Sequence, residues 1–412
     1  MFKKAVLALA VVGAASSSFA AVEDDPFFKD ATMDLGFRTY YFWGDEDYKD
    51  EKLNKDTNKL ENQDAKHDAF AQGIRMDYKS GYFYDLVGLD LGVYTAIGLR
   101  THDDEKASWG MLGNGNENKD LIKYGATVKV KLGGYGDLKY GTRQLNSHLY
   151  SDSDSRLTPE LTQAASAEVA FGDLNAYAHQ IIRGSYRSTE DLVDFDEKVY
   201  LVGGNYTFNN ALNLSAAYGE QKDRNRQYWG QVDYPFSVAE GTITVSGNYQ
   251  HINAIGSAQS EQGDDTASLW SARISLDYGP LLAEVAYGKA DEYEIADLAW
   301  EGGNENGGSN LLTDNTYYVT LDSSDMQSYY AALTYDFTKM VPGLSFDLGY
   351  MQGKNDTMNS KEYYARVNYD VQSVKNLWVG ATYVTGDDED KVGAGTVDWK
   401  HLRLQLRYDF SV

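Results

Sequence analysis

Apolar and polar side chains alternate along this chain, and that alternation constrains the fold more than any other feature. The clearest example is the segment 123–132. One of its faces carries Tyr124, Ala126, Val128, Val130 and Leu132, and the other carries Lys123, Gly125, Thr127, Lys129 and Lys131. Because successive side chains of a β-strand point to opposite faces, the pattern predicts a strand with one apolar and one polar face.

The pattern recurs too often to be an isolated strand of a soluble sheet. The segments are 31–44, 68–80, 85–100, 121–132, 136–146, 164–171, 174–184, 197–208, 211–221, 226–236, 240–252, 267–279, 281–289, 327–338, 342–353, 360–370, 375–385 and 398–411. Transmembrane barrels consist of such segments, with apolar side chains toward lipid and polar ones toward the lumen. The sequence therefore predicts an all-β fold, a transmembrane antiparallel β-barrel of about 18 strands.

The connections between these segments alternate in length. Tight turns rich in Gly, Asn and Pro occur at 133–136, 209–210, 279–280 and 342–343, and long polar stretches at 45–67, 101–120, 147–163 and 290–326. Outer-membrane barrels have short periplasmic turns at one rim and long extracellular loops at the other. We therefore expect this arrangement here, with both termini at the short-turn rim.

The first 20 residues are predicted to be a cleaved signal peptide. Lys3 and Lys4 precede an apolar run at 5–15, and Ser18 and Ala20 place small residues before the cleavage point. Residues 21–30 would then form a short N-terminal periplasmic segment, and 31–412 the barrel. Beyond the leader, no stretch has the roughly 20 apolar residues of a transmembrane helix.

Composition excludes several classes of protein. The chain has no Cys, which excludes a disulfide scaffold and a thiolate metal site, and its 33 Tyr, 39 Gly and 5 Pro suit long strands. A formal net charge of −25 argues against a nucleic-acid partner. No motif for a metal or another cofactor is present.

Aromatic residues cluster near the ends of the predicted strands. The clusters are Tyr40–Trp43, Tyr82–Tyr84, Tyr317–Tyr318, Tyr329–Tyr330 and Tyr363–Tyr364. Their repetition is typical of the girdles that contact the membrane interface. The expected surroundings are outer-membrane lipid and lipopolysaccharide.

If the polar faces point into the lumen, the charges there separate by strand. The first five strands and the last form a basic wall of Arg38, Arg75, Lys79, Arg100, Lys123, Lys129, Lys131, Lys139, Arg143, Arg403 and Arg407. Strands further round form an acidic wall of Asp233, Asp277, Glu284, Asp336, Asp347 and Glu362. Two such walls would create a transverse field in which a carboxylate could step along successive cations. Alternatively, these charges pair with each other and only keep the lumen wet.

Several short motifs appear in an order that resembles the OprD-type substrate-selective porins of Gram-negative outer membranes. They are Asp25-Pro-Phe-Phe-Lys-Asp30, Arg38-Thr-Tyr-Tyr-Phe42, Ala71-Gln-Gly73, Ser80-Gly-Tyr82 and Asp154-Ser-Arg-Leu-Thr-Pro159. The resemblance is densest over residues 25–175. It implies an eighteen-stranded channel, either a monomer or a loose homotrimer. The last strand, ending in Tyr408 and Phe410, resembles the aromatic signal read by the barrel-insertion machinery.

The resemblance also implies that the third long loop, near 147–163, folds into the barrel. Asp154, Ser155 and Arg156 would then form the pore constriction, and the inward Lys and Arg residues a basic ladder. The strand count independently places this motif in the third long loop. After the motif the chain continues at 160–165 with Glu-Leu-Thr-Gln-Ala-Ala, where the family often has an aromatic and Gly-rich segment.

These observations predict a porin for small polar solutes such as carboxylates or amino acids, and no catalytic activity. The segment 81–97 also resembles the chitoporin branch of the family, so chito-oligosaccharides are the alternative solute. A barrel hydrolase is the rival class, although none of the six His lies in a Ser/His or metal-ligand motif. The nearest case is His148, which lies close to Ser147 and Ser151. A structural barrel with a plugged lumen would conduct no ions.

Overall fold

The structure is a computed structural model. It describes residues 25–48, 52–54, 59–61, 65–101, 110–113, 120–258, 266–291, 299–302, 310–314, 317–319, 321, 323–390 and 395–411. The predicted signal peptide 1–20 and residues 21–24 of the predicted periplasmic segment lie outside the described residues.

Eighteen antiparallel strands close into a barrel. They are β1 (Thr32–Tyr48), β2 (Ala65–Lys79), β3 (Val87–Thr101), β4 (Leu121–Lys131), β5 (Gly136–Arg143), β6 (Leu161–Phe171), β7 (Leu174–Ser185), β8 (Val193–Thr207), β9 (Asn213–Gln221), β10 (Asn225–Val238), β11 (Gly241–Ala254), β12 (Thr266–Tyr278), β13 (Leu281–Ala290), β14 (Gln327–Asp336), β15 (Leu344–Lys354), β16 (Met358–Asp370), β17 (Leu377–Asp390) and β18 (Gly395–Ser411). Each strand pairs with the next, and β18 pairs with β1. The predicted 18-stranded antiparallel barrel is confirmed.

The alternation in the sequence gives the barrel its two surfaces. In β4, Lys123, Thr127 and Lys129 are buried, whereas Tyr124 is 64% exposed and Val128 is 47% exposed. The polar face therefore points into the barrel and the apolar face points outward, as in a barrel surrounded by lipid.

The two rims of the barrel differ as predicted. At one rim the turns are tight and use left-handed Gly residues, with φ of +60° at Gly133, +57° at Gly172 and +59° at Gly279. At the other rim lie the long loops, although the connections 222–224 and 355–357 at this rim are short. Strands also extend further toward the loop rim than predicted, as β17 does to Asp390. The additional residues at these strand ends are polar on both faces of the strand. The sequence therefore shows no alternation of apolar and polar side chains there.

A one-turn helix, Pro26–Lys29, lies at the short-turn rim. Asp25 caps it by accepting a hydrogen bond from the backbone N–H of Phe27, and the N–H of Gly81 donates to the carbonyl of Phe27 at 2.8 Å. In the part of the chain that the structure describes, no helix is long and apolar enough to cross a membrane. Buried apolar clusters lie inside the barrel, where the loops pack on its inner wall.

Candidate functional site

The loop at 147–163 folds into the lumen and rests on the inner face of β2. Leu157 is fully buried there, against Ala69 and Ala71. A Cβ at Gly73 would lie 3.1 Å from the Cβ of Leu157, so the small side chains of β2 create the space that the loop occupies. The inward path of this loop thus depends on the residue sizes of a strand that lies far away in sequence.

The base of the loop is held by two carboxylates of the loop itself and by Lys123 of β4. Asp152 accepts hydrogen bonds from the backbone N–H of Leu145 at 2.7 Å and from the hydroxyl of Thr162 at 2.8 Å. Glu160 accepts from the backbone N–H of Ser153 at 2.8 Å. Lys123 of β4 donates to the carbonyl of Pro159 at 2.8 Å. Together these bonds close the loop and fasten it to the wall.

Asp154, at the tip of the loop, is clamped by two arginines. Arg38 donates to both of its carboxylate oxygens at 2.9 Å, and the Nη1 of Arg75 lies 2.8 Å from both. Burial favours the neutral acid, but the hydrogen bonds from Arg38 and the positive charge of Arg75 outweigh it, so the pKa of Asp154 is lowered. Arg38 also donates to the carbonyl of Arg156 at 2.8 Å.

Arg156 points to the opposite side of the loop from Asp154, toward Phe42 and Arg403. The guanidinium carbons of Arg156 and Arg403 lie 5.2 and 5.0 Å from the centroid of the Phe42 ring. Burial, together with the charges of Arg403 and Arg187, lowers the pKa of Arg156 to about 9, which leaves it charged at neutral pH. Two guanidinium groups therefore converge on one aromatic ring inside the lumen.

Described parts of a second long loop, at 291–326, also lie inside the barrel; they are 299–302, 310–314, 317–319 and 321. The carboxylate of Glu362 accepts hydrogen bonds from the backbone N–H groups of Tyr317 and Tyr318 at 2.9–3.1 Å. Arg403 donates to the hydroxyl of Tyr318 at 2.6 Å and lies 4.5 Å from the centroid of Tyr317. Arg403 is thus enclosed by aromatic rings from this loop and from β1.

The two inward loops contact each other directly. The indole of Trp300, which is 1% exposed, donates its Nε1–H to the carbonyl of Leu149 at 2.9 Å. The ring also packs at Gly219, where a Cβ would lie 2.8 Å from the indole. This contact joins the loop at 291–326 to the loop at 147–163.

Below the loops, toward the short-turn rim, lies a cavity of about 810 Å³. Its charged lining includes Arg75, Lys79, Lys139, Arg143, Asp77 and Glu168. The lumen thus contains a charged vestibule on the short-turn side of the loops.

The chain that forms this barrel, with its inward loops and with Arg156 and Arg403 on one ring, matches a known family. The model described as outer membrane porin, OprD family, covers residues 25–412. The chain belongs to the OprD family of outer membrane porins. It is accordingly a porin of the Gram-negative outer membrane, and the predicted family resemblance is confirmed.

Relatives and solved structures of this OprD-family porin agree with that assignment. Porin D of Pseudomonas aeruginosa is 24% identical over 389 residues, which cover 86% of this chain and 82% of that protein. Chitoporin of Escherichia coli is 26% identical over 278 residues, 59% of this chain and 56% of that protein. The crystal structure of OpdK from P. aeruginosa matches with a TM-score of 0.76 at 20% identity and covers 93% of this chain and 99% of that one. OccAB2 from Acinetobacter baumannii matches with a TM-score of 0.79 at 20% identity, over 94% and 100% of the two chains.

Most of the predicted basic wall lies on the inner surface of the porin, but much of it is paired with carboxylates there. The pairs are Arg38 and Arg75 with Asp154, Lys129 with Asp90, Lys131 with Asp85, and Lys139 and Arg143 with Glu168. Lys123 donates to two backbone carbonyls, those of Pro159 and Tyr186. Lys79 lines the vestibule. Arg407 donates to the hydroxyl of Tyr40 at 2.7 Å and lies 5.3 Å from the ring of Trp378.

Arg100 is a correction, because it faces outward. The ladder between β2 and β3 changes register here, so that Ala71 pairs with Gly98 but Phe70 pairs with Arg100. The extra residue of this β-bulge turns Arg100 away from the lumen. Its guanidinium pairs with Asp68 at 2.9 Å and lies over Tyr41 on the outer surface.

The residues of the predicted acidic wall also differ in their partners and in their exposure. Asp347 is paired with Arg366 at 2.7 Å, and Glu284 lies 3.8 Å from Arg273. Asp233 accepts from the amide of Gln231, and Asp277 is exposed near the short-turn rim. Asp336 lies at the rim, where it caps a turn by accepting from the N–H of Thr338 at 2.7 Å. Glu362 holds the second loop, as described above.

Sequence reasoning missed the second inward loop. Tyr317 and Tyr318 were assigned to the membrane girdle, but they lie inside the barrel against Arg403. In the cluster 40–43, Tyr40 and Phe42 likewise face inward. No periodic signal marks 317–318, because an irregular loop has none; the pair of aromatic residues was the only available indication.

The His148 candidate does not form a nucleophile pair. Its Nδ1 lies 2.9 Å from the hydroxyl of Tyr177, and its ring stacks on Trp229 with centroids 4.6 Å apart. Ser147 donates to the carbonyl of Tyr150, and Ser151 donates to the side chain of Asn146. Among the residues that the structure describes, no group of three or more His, Asp or Glu side chains could hold a metal ion.

Proposed function

We propose that this porin is selective for small carboxylates, which pass the constriction by contacting Arg403 and then Arg407. Both residues lie on the inner face of β18, four positions apart, so their Cα atoms are separated by about 13 Å along the strand. A carboxylate that leaves one guanidinium can reach the other with a single step. Arg156 lies beside the first of them, across Phe42.

The observation that supports this proposal is the chemical nature of the partners of Arg403 and Arg407. Among the described residues, hydroxyl groups and aromatic rings hold these two cations, and neither forms an ion pair with a carboxylate. Their charge is therefore available to an anionic solute, and a planar guanidinium can give a carboxylate two parallel hydrogen bonds. By contrast, the cations of β2 and β5 are paired with carboxylates, so they offer less attraction.

A related structure supports the same class of solute. OpdK of P. aeruginosa, which has the same fold, has been solved with vanillate, an aromatic carboxylate. The rings of Phe42, Tyr317 and Tyr318 around Arg403 would suit a solute with an aromatic body next to its carboxylate. We therefore place aromatic monocarboxylates first among the candidates, and amino acids after them.

Single-channel recording in planar bilayers tests this proposal. Benzoate, an amino acid such as glycine and a chito-oligosaccharide should each be added as a blocker of the open channel. We expect benzoate to interrupt the current at the lowest concentration, and benzyl alcohol, its uncharged counterpart, to have little effect. Equal block by benzoate and benzyl alcohol would show that the carboxylate is not what the channel recognises. A chain that conducts no ions at all would be a plugged barrel.

Chito-oligosaccharides remain the second candidate, because chitoporin of E. coli is a relative. Rings along the lumen wall could contact sugars, but they stack on each other: Tyr177 on His179 at 4.8 Å and His148 on Trp229 at 4.6 Å. Ring faces that are already covered offer less surface to a sugar. Block by the oligosaccharide at lower concentration than by benzoate would favour this candidate.

We further infer that residues 1–20 are removed on export, that the last strand is read by the barrel-insertion machinery, and that the barrel itself has no catalytic activity. N-terminal sequencing of the purified protein tests the first inference, and deletion of residues 408–412 tests the second. Esterase and protease assays of the purified protein test the third. The mass of the detergent-solubilised particle distinguishes a monomer from a homotrimer.

A further inference from the structure

Three lysines form an unusual group on the outer surface of the barrel, near the loop rim. Lys289 of β13 is in register with Gln327 of β14, which is in register with Lys354 of β15. Lys354 is in register with Asn359 of β16, and Lys361 lies two positions further along β16. We call Lys289, Lys354 and Lys361 the lysine row.

The lysine row points away from the lumen. The residues next to the three lysines in sequence, Ala290, Gly353 and Ser360, are all buried on the inner side. Because side chains alternate along a strand, the lysines lie on the opposite, outer face. Lys289 and Lys354 are two strands apart, so their backbones are separated by about 10 Å.

A belt of tyrosines lies directly below the lysine row, toward the middle of the barrel wall. Tyr287 and Tyr329 are 5.2 Å apart, and Tyr350 and Tyr363 are 4.9 Å apart. The ammonium of Lys354 lies 5.0 Å from the centroid of Tyr329. Since interfacial tyrosines mark the boundary between acyl chains and headgroups, the row lies at the height of the headgroups of the outer leaflet.

The described residues around this row leave it accessible from the membrane. The connection between β15 and β16 is the short turn 355–357, and Trp300 and Tyr317 of the loop between β13 and β14 lie inside the barrel. Among the described residues, Lys289 and Lys354 form no ion pair, and Lys361 has one distant pair, 3.5 Å from Asp387. The chain as a whole carries 62 acidic and 37 basic residues, so a compact cationic patch on its lipid side is exceptional.

We propose that the lysine row binds the phosphate groups of the phosphorylated glycolipid of the outer leaflet, with the acyl chains of that lipid against the tyrosine belt. Lys ammonium groups bind phosphate as point charges, and basic residues at membrane height attract anionic lipid headgroups. Gln327 lies between Lys289 and Lys354; its side-chain carbonyl accepts from the hydroxyl of Tyr329, and its amide N–H groups can donate to a remaining oxygen. The site thus combines charge, hydrogen-bond donors and an apolar wall.

The outer surface next to the row is acidic and would repel the phosphates of the lipid. Asp387 and Glu389 of β17 are in register with Lys361 and Asn359 and face the same way. Phosphates would be repelled from that sector, and the lysine row would hold the lipid on the neighbouring one. A second copy of the chain is the other occupant that an outer barrel face could have, and the experiment below separates it from lipid.

The test uses the purified full-length porin in detergent, titrated with diphosphoryl lipid A and, separately, with lipid A from which the phosphates have been removed. Bound lipid is counted by native mass spectrometry. The variant carries Lys289→Gln, Lys354→Gln and Lys361→Gln. The matched control carries Lys66→Gln, Lys198→Gln and Lys400→Gln, three other exposed outer-surface lysines, of which Lys66 and Lys400 both flank Asp45.

We expect the row variant to bind diphosphoryl lipid A about tenfold more weakly, with the difference shrinking at 1 M salt because the charges are then screened. The control should bind within about twofold of wild type, and replacement of the row by arginine should restore binding. Heat-modifiable mobility on gels should be the same for every variant, which shows that the barrel is intact. Equal loss in both triple variants, or equal binding of both forms of lipid A, would refute the proposal. A change in the oligomeric mass of the row variant would also overturn it, because the face would then be an interface between copies.

Discussion

Arg38 and Arg403 enter the lumen from neighbouring strands, β1 and β18, but their surroundings differ. Arg38 donates two hydrogen bonds to the carboxylate of Asp154, a partner that it shares with Arg75. Arg403 donates to the hydroxyl of Tyr318 and contacts the rings of Phe42 and Tyr317. A hydroxyl and two aromatic rings stabilise a cation without cancelling its charge.

The comparison shows that an inward cation can serve two purposes in the same wall. Where a carboxylate is the partner, the cation fastens a loop, as Arg38 and Arg75 fasten the loop at 147–163. Where rings and hydroxyl groups are the partners, as at Arg403 and Arg407, we propose that the positive charge attracts a solute. The field across the lumen therefore depends on the partners of each cation and cannot be obtained by counting charges on a face.

The largest effect is expected from Asp154→Asn, which removes the carboxylate that holds Arg38. The change leaves two buried guanidinium groups without a counter-charge, which costs about 3 kcal/mol in the free energy of unfolding. The loop should also loosen, so single-channel conductance, current noise and anion preference should all increase. Urea titration of the reconstituted protein and bilayer recording measure the two consequences.

Asp85→Asn is the matched control, because Asp85 also pairs with a lysine of the wall but is 82% exposed. Exposed pairs contribute about 0–1 kcal/mol, so little should change. Acid should reproduce the effect of Asp154→Asn. Since the pKa of Asp154 is lowered by folding, its stabilising contribution is complete above the pKa of a free Asp, about 3.9, and is lost as the pH falls through the lower folded value. A channel that becomes noisy already at pH 6 would contradict this assignment.

A smaller effect, on solute binding, is expected at Arg403. Arg403→Gln removes a charge that the solute is expected to use, so block by benzoate should weaken by about tenfold or more, the usual effect of losing a charged hydrogen bond. Arg143→Gln removes an inward charge that is paired with Glu168, and Glu168 keeps Lys139 as a partner. Block in the Arg143 variant should stay within about threefold of wild type. Equal weakening in both variants would show that only the total charge of the lumen matters.

Glu362→Gln is expected to have a smaller effect, on the second inward loop. A neutral amide can accept hydrogen bonds from Tyr317 and Tyr318 with only one oxygen, and these bonds are weaker than those to a carboxylate. The loop should fluctuate more, so current noise should rise while the order of blockers stays the same. Asp277→Asn makes the same change of charge on an exposed residue of the inner face and should leave the noise at its wild-type level. Equal noise in the two variants would mean that Glu362 does not hold the loop.

The smallest effect is expected from Arg100→Gln. Because the β-bulge turns this residue outward, the ratio of anion to cation permeability should stay at its wild-type value in dilute salt. Reversal potentials under a salt gradient measure that ratio. A clear shift toward cations would place Arg100 in the lumen and contradict the observed register.

These contrasts also show which parts of the molecule the sequence could predict. The eighteen strands and their two faces follow from a local alternation, and Lys123 and Lys129 lie inward as that alternation requires. Arg100 was misplaced because a single extra residue in β3 inverts the faces beyond it, and nothing in the composition of β3 marks the bulge. The clamp on Asp154 joins residues 79 and 116 positions apart, so no local pattern contains it. The position of Tyr318 was missed for the same reason, since it depends on Glu362, 44 residues later.

The hydrogen bond from Trp300 to the carbonyl of Leu149 has a consequence for redesign. Because it joins two segments 151 residues apart in sequence, the two inward loops must be exchanged together when a chimeric porin is made. A chimera that receives only one of them from a relative would leave either a buried indole N–H or a buried carbonyl without its partner. Transplanting the channel's preference into another barrel would therefore require both loops, together with the small residue at Gly219 that admits the indole ring.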